Sequence, residues 1–83
     1  MTRHMTFDIV KFIIDDWDPV DLLSFAPADE YDDESRAVLS AYTDDPCELG
    51  NCIYNIFRKT FDDSFGRSLQ ECINVAELII GHK

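Results

Sequence analysis

Positive charge is scarce in this sequence: seven Lys and Arg residues stand against seventeen Asp and Glu residues, a formal net charge of −10. A surface of this sign repels phosphate, so the composition argues against direct binding of nucleic acid. It argues equally against anionic membrane surfaces. The partner that it favours is a basic protein, whose approach the charge would steer and accelerate.

Zinc ligands and disulfide pairs are also lacking. The chain has three cysteines without a CxxC pair, and its two histidines, His4 and His82, lie near opposite ends. An odd number of cysteines without a secretion signal indicates reduced thiols. We interpret Cys52 and Cys72, on helical apolar stripes, as small core residues rather than reactive thiols. We expect no metal site and no cofactor.

Long apolar runs are missing as well. The longest, such as residues 78–80, are too short to span a membrane, and the opening MTRHMTFD has no secretion-signal core. We therefore expect a soluble, cytoplasmic protein. The apolar content of 46% is nevertheless typical of a globular chain, and 83 residues make one domain, residues 1–83.

Strand patterns are absent, whereas four helical patterns are present. Cap residues mark most of their starts, and a short extra helical turn opened by Asp18 and Pro19 is expected after the first helix. We predict an all-α fold, a single small domain of four main helices with that short extra turn. The helices are expected from Phe7 to Asp16 after Thr6, from between Ala28 and Tyr31 to near Thr43, from Asp45-Pro46 through Phe61, and from Ser68 to Gly81.

Each helix carries an apolar stripe at spacings of three and four residues. The stripes are Ile9, Val10, Ile13, Ile14 and Trp17, widened by Phe12; Tyr31, Ala37, Val38, Ala41 and Tyr42; Leu49, Cys52, Ile53, Ile56, Phe57 and Phe61; and Leu69, Cys72, Ile73, Ala76, Ile79 and Ile80.

Two glycines and four large apolar residues have further interpretations. Gly50 either permits a close helix approach or is tolerated at a cost of about 1 kcal/mol, and Gly66 is expected to adopt a positive φ. The large apolar residues are either core residues or exposed interface anchors: Trp17, Leu22, Leu23 and Phe25.

The acids are concentrated in the first half of the chain, where twelve of them and a single base, Arg36, lie between Phe12 and Phe57. Many could serve as caps or as a solvated helix start, where each contributes about 0.3–1 kcal/mol. Asp15 and Asp16 differ, because they end a helix where negative charge is unfavourable; Lys11 can pair with Asp15. A surface that tolerates this repulsion between like charges breaks a local rule of stability, and such breaks are expected at functional sites. We predict one acidic, partner-binding face: Asp15, Asp16, Asp21, Asp29, Glu30, Asp32, Asp33 and Glu34.

Catalytic signals are weak. No histidine lies in a motif that would activate Ser24, Ser35 or Ser40, so we expect no catalytic residues and no enzyme. The carboxylate pairs at i,i+4 within Asp29–Glu34 leave a divalent-metal site open as an alternative.

The stretch from Trp17 to Glu34 resembles the YugE-like proteins, a small bacterial family of unassigned function. The resemblance rests on the W-D-P-hydrophobic start at residues 17–20, the two leucines at 22 and 23, and P-x-D-E-Y at residues 27–31 with Glu34. Residues 53–61 and the helix that contains Cys72 are similar to the second half of the family, so the resemblance covers residues 8–80. It implies a small all-α fold and no assigned catalytic residues.

Two classes of function fit these observations. The first is a non-catalytic binding protein, most concretely an immunity protein that neutralises a basic toxin nuclease domain, as in contact-dependent inhibition. The second is an enzymatic or metal-binding accessory domain that uses the carboxylates of Asp29–Glu34. A third, adaptor role in a larger assembly would use an exposed Trp17 or Phe25.

Overall fold

A computed structural model of the chain describes residues 5–20 and 30–82. Within those ranges the structure is helical and contains no strand, which confirms the predicted all-α fold of four main helices in one small domain. A turn at Pro19 and Val20 follows the first helix, and the rest of the extra turn expected there lies outside the described residues. The elements are α1 (Phe7–Trp17), α2 (Asp32–Ser40), α3 (Pro46–Phe61), a short 3₁₀-helix (Asp62–Ser64) and α4 (Leu69–Gly81).

Three helices begin at the cap residues that the sequence predicts. Thr6 Oγ1 accepts a hydrogen bond from the backbone N–H of Ile9 at 3.3 Å, and Ser68 Oγ accepts one from Glu71 at 3.1 Å. The Asp45 carboxylate accepts from the backbone N–H groups of two residues in the first turn of α3. Each cap satisfies donors that have no partner inside their own helix.

Helix α2 departs most from the prediction. It begins after Tyr31, which offers no side-chain cap, and ends at Ser40 rather than near Thr43. Its inward face is also different, because Glu34 and Ser35 are buried with Val38 whereas Ala37 is exposed. The apolar stripe is short here, and packing against the neighbouring helices decides which residues turn inward.

Among residues 5–20 and 30–82, two non-glycine residues adopt positive φ. Asp18 (φ 44°) ends α1 as its C-cap and donates its backbone N–H to the carbonyl of Ile14 at 2.9 Å. Asp62 (φ 48°) ends α3. The positive φ expected at Gly66 is wrong, because none of the described glycines has a positive φ. Asp18 has the left-handed α conformation, which aspartate tolerates better than most side chains, whereas the ψ of −122° at Asp62 lies outside that region.

The core is centred on α3, where Leu49, Ile53 and Phe57 are completely buried. Phe65, in the loop before α4, is also buried and stacks on Phe57 at 5.5 Å between ring centroids. Burying a side chain of this size stabilises the fold by about 1.5–3 kcal/mol. The other buried apolar residues come from every helix: Val10, Ile13, Ile14, Tyr31, Val38, Cys72, Val75, Ala76 and Ile79.

Helices α3 and α4 approach each other closely at Gly50. A Cβ placed on Gly50 would lie 2.7 Å from the backbone Cα of Ile73 and 2.5 Å from its Cγ1. No side chain fits there, which confirms the first of the two alternatives for this position, that glycine permits two helices to meet. No helix in the described part of the chain has both the length and the apolar character needed to cross a membrane.

Candidate protein-binding surface

The predicted acidic residues that the structure describes lie on two neighbouring helices and in the turn directly before the second of them. Asp15 and Asp16 are in the last turn of α1, Glu30 precedes α2, and Asp32, Asp33 and Glu34 form the first turn of α2. Asp21 and Asp29 lie outside the described residues.

Lys11 joins the two acidic segments. Its Nζ lies 3.0 Å from Oδ2 of Asp15 and 2.6 Å from Oδ1 of Asp32. The hydrogen bond to Asp32, followed by that to Asp15, holds the pKa of Lys11 above its ordinary value. The structure thus brings Asp15 and Asp32 together, but both carboxylates already have a cation within the protein.

Glu34 does not lie on an exposed face. Only 8% of its surface is accessible, and it faces α3 beside Thr60, Ile56 and Lys59. Burial raises the pKa of Glu34 above its ordinary value, whereas its hydrogen bonds, including one with Thr60, act in the opposite direction. We predicted that Glu34 belongs to the acidic, partner-binding face. The register of α2 instead turns its side chain inward, so Glu34 does not lie on an exposed surface.

Three of the predicted acids are exposed: Asp16, Glu30 and Asp33. The Asp33 side chain is 92% accessible and lies 3.3 Å from Nη1 of Arg36, itself exposed. An ion pair this exposed contributes about 0–1 kcal/mol. Asp16 makes no ion pair with any described residue, although it stands at the negative end of the α1 dipole.

Phe12 is exposed among the acids of α1. The sequence places it at the edge of the apolar stripe, but 67% of its surface is accessible to solvent. Asp8, Asp15 and Asp16 lie four residues before and three and four residues after it, so they share its side of the helix. With Lys11, these residues line a shallow hollow. We call Asp8, Asp15 and Asp16 the acidic edge of α1.

A second hollow lies on the other side of Phe12, between α1 and α4; we call it the α1/α4 groove. Its volume is about 270 Å³. Phe12 forms one rim and Leu78, 58% accessible, forms the other. The lining residues are Phe12, Ile13, Asp16, Trp17, Val75, Leu78 and His82. Sequence reasoning missed this groove, because it assigned Phe12 to the core side and gave Leu78 no role.

Trp17 packs against the core and also borders the α1/α4 groove. It is half-buried, and its ring packs edge-on against Phe57 at 5.7 Å and Phe65 at 6.0 Å between centroids. Another part of the same side chain lines the α1/α4 groove. The tryptophan therefore connects the core to the exposed surface; Phe25, the other aromatic in question, lies outside the described residues.

The WDP and DEY segments are joined through Tyr31. This tyrosine is completely buried, and its hydroxyl donates to Oδ1 of Asp18 at 2.6 Å and accepts from the backbone N–H of Val20 at 3.2 Å. Arg67 Nε donates to the carbonyl of Pro19 at 3.0 Å and holds the same turn from the loop before α4. The two segments thus build one structural junction, and the tyrosine of DEY is a core residue.

The remaining candidate chemistry is limited. No group of three or more His, Cys, Asp or Glu residues suited to a metal ion occurs in residues 5–20 and 30–82. Cys72 is buried, as predicted, and burial raises the pKa of its thiol to about 12. Cys52 is half-buried and Cys47 is exposed.

Comparison with known proteins places the chain in a family without assigning it a role. No curated protein and no solved structure matches it. The model of one family, described as a domain of unknown function (DUF1871), matches residues 8–83, which is nearly the whole chain. The chain therefore belongs to the DUF1871 family of unknown function.

Proposed function

We propose that this chain is a non-catalytic binding protein that recognises a basic protein partner through the exposed side of α1. The observation that carries the proposal is an exposed Phe12 flanked on one helix by Asp8, Asp15 and Asp16. Aromatic side chains supply much of the energy at protein interfaces, whereas charged neighbours set orientation and association rate.

The charge distribution supports a basic partner. The protein has a net charge of −10, so it attracts cationic surfaces over several ångströms before contact. Lys11, which lines the hollow formed by Phe12 and the acidic edge of α1, is within ion-pair distance of two carboxylates of the protein itself. An incoming Lys or Arg side chain would instead form ion pairs with Asp8 and Asp16, because both are exposed.

The narrower form of the proposal is an immunity protein that occludes a basic toxin domain, such as a nuclease of a contact-dependent inhibition system. A carboxylate-rich helix presents the charge that a nuclease recognises in phosphate, and fast association would protect the producing cell. By the resemblance of residues 17–34, we further propose that the chain is a YugE-like member of its family. The cytoplasmic location that we expect from its composition is a separate part of the proposal.

The metal-binding alternative has less support. Of the carboxylates in Asp29–Glu34, Asp32 pairs with Lys11 and Glu34 is buried against α3. Their pairing and burial leave fewer oxygens of this run for a cation. If Mg²⁺, Mn²⁺ or Ca²⁺ at millimolar concentration raised the melting temperature, this alternative would regain support.

The test is capture of a partner by the tagged protein, with the product of the neighbouring open reading frame co-expressed as the candidate. We expect a stoichiometric complex that weakens as salt rises, because screening acts on the exposed carboxylates. The double variant Asp8→Asn/Asp16→Asn should weaken the complex by about tenfold or more and flatten its salt dependence. Asp15 and Asp32 are left unchanged because they pair with Lys11.

The matched control is Glu48→Gln/Asp63→Asn, which removes the same charge from exposed positions outside α1. This control should bind nearly as tightly as the unmodified protein. Equal weakening by both pairs would mean that only net charge matters, and no weakening by the α1 pair would contradict an acidic binding face.

A further inference from the structure

The α1/α4 groove has the dimensions of a side-chain receptor. Its walls rise at Phe12 and Leu78, which are 67% and 58% accessible, and its floor is apolar where Ile13 and Val75 are buried. Small-molecule pockets usually enclose roughly 300–1,000 Å³. At about 270 Å³ and open to solvent, this groove suits one or two apolar side chains of a larger partner.

The charge beside the groove identifies the kind of segment that would supply them. Asp16 lines the groove as well as the hollow on the other side of Phe12, so a carboxylate stands directly beside the apolar floor. Asp8 and Asp15 continue the negative charge along α1. A segment whose apolar residues enter the groove would therefore place its neighbouring residues against carboxylates.

A second copy of this chain fits the groove poorly. Two copies that met at this surface would bring their acidic edges together, and each chain carries a net charge of −10. Like charges placed together across an interface cost affinity and suppress the wrong pairing. The charge thus favours a cationic segment over self-association.

We propose that the α1/α4 groove docks an amphipathic, lysine- or arginine-rich helix of the partner, with apolar side chains between Phe12 and Leu78 and cationic ones on the acidic edge of α1. This deepens the proposed function and rests on it, because it names the segment that the partner presents. Helix-in-groove recognition of this kind uses apolar anchors spaced at i, i+3, i+4 and i+7, and one or two neighbouring anchors of such a series fill a groove of this volume.

Trp17 provides a local readout. It is the only tryptophan in the sequence and lines the groove, so its fluorescence reports occupancy directly. The probe is a synthetic peptide of roughly 18 residues, long enough to form a helix, with a leucine stripe on a lysine background and no tryptophan. A peptide of the same composition, with its leucines scattered around the helix, is the reference.

We expect a saturable change in Trp17 emission with the striped peptide and at least about tenfold weaker binding of the scrambled one. Leu78→Ser should weaken the striped peptide by about tenfold or more, because it removes one wall of the groove. Leu69→Ser is the matched control, since Leu69 is an exposed leucine of the same helix outside the groove. Asp16→Asn should also weaken binding, whereas Asp33→Asn, on the α2/α3 side, should not.

The proposal is overturned if the emission does not change, if both peptides bind equally, or if Leu78→Ser and Leu69→Ser behave alike. It is also overturned if the protein alone forms a dimer that Leu78→Ser dissociates, since the occupant would then be a second copy. Circular dichroism of each variant establishes that it is folded, and Phe12→Ser tests the opposite wall independently.

The same variants separate this proposal from the proposed function. If Leu78→Ser leaves a captured basic partner bound while Asp8→Asn/Asp16→Asn releases it, the groove proposal fails and the acidic binding face stands. If neither change affects the partner, both proposals fail.

Discussion

Replacing Gly50 with alanine tests the close contact between α3 and α4. In an ordinary helix interior this change is stabilising by about 1 kcal/mol. Here the new methyl carbon would lie 2.7 Å from the Cα of Ile73, where carbon atoms prefer about 3.5–4.0 Å. Because the obstacle includes backbone, α3 and α4 must separate by about 1 Å, and overpacking of this kind costs about 1–3 kcal/mol.

With the cost near the upper end of that range, we expect Gly50→Ala to lower the free energy of unfolding by about 2 kcal/mol after the gain in helix propensity. A domain of this length has about 4–12 kcal/mol in total, so the loss is large. The measurement is urea unfolding followed by circular dichroism. The substitution should also lower Tm by about 8–16 °C.

Gly81→Ala is the matched control, because Gly81 is also helical, has no positive φ and has nothing within 4 Å of an added Cβ. Its stability should stay the same or rise. A Gly50→Ala protein as stable as the unmodified one would show that α3 and α4 do not pack as closely as described.

Three further perturbations test other parts of the structure. Tyr31→Phe removes the buried hydroxyl that bonds Asp18 and should cost about 1–3 kcal/mol in urea unfolding; no loss would contradict the junction. Among the thiols, Cys47 should react fastest with a disulfide reagent at neutral pH, whereas Cys72 should react only on unfolding, and early labelling of Cys72 would refute its burial. Because the folded state raises the pKa of Glu34, it binds that proton more tightly than the unfolded chain does, so the contribution of Glu34 to stability should fall as pH rises above about 4.5. Glu34→Gln should flatten this fall in unfolding curves measured across pH, and unchanged curves would refute it.

The sequence alone was sufficient where local chemistry decides the structure. Caps at Thr6, Asp45 and Ser68 depend on a side chain and the backbone a few residues away, and all three were predicted correctly. At Gly50 the sequence narrowed the outcome to two alternatives, a close helix approach or a tolerated glycine. Only the position of Ile73 on α4 decides between them.

The features that sequence reasoning missed depend on contacts between distant residues. Helix α2 has a weak stripe, so its register is set by the helices around it, which turns Glu34 inward and Ala37 outward. Phe65 lies in a loop and gave no periodic signal, yet it stacks on Phe57 in the core. Likewise, Phe12 is at the edge of a stripe, and only the position of α4 leaves it exposed.

The hydrogen bond between Tyr31 and Asp18 has an evolutionary consequence. The WDP and DEY segments form one contact, so substitutions at these two positions should occur together in related chains. Relatives that share the pair would then share an architecture without necessarily sharing a partner. Under the proposed function, divergence of binding preference should instead appear at Phe12, Asp16 and Leu78, which the junction does not constrain. Grouping relatives by those surface positions then tests whether they sort by what they bind.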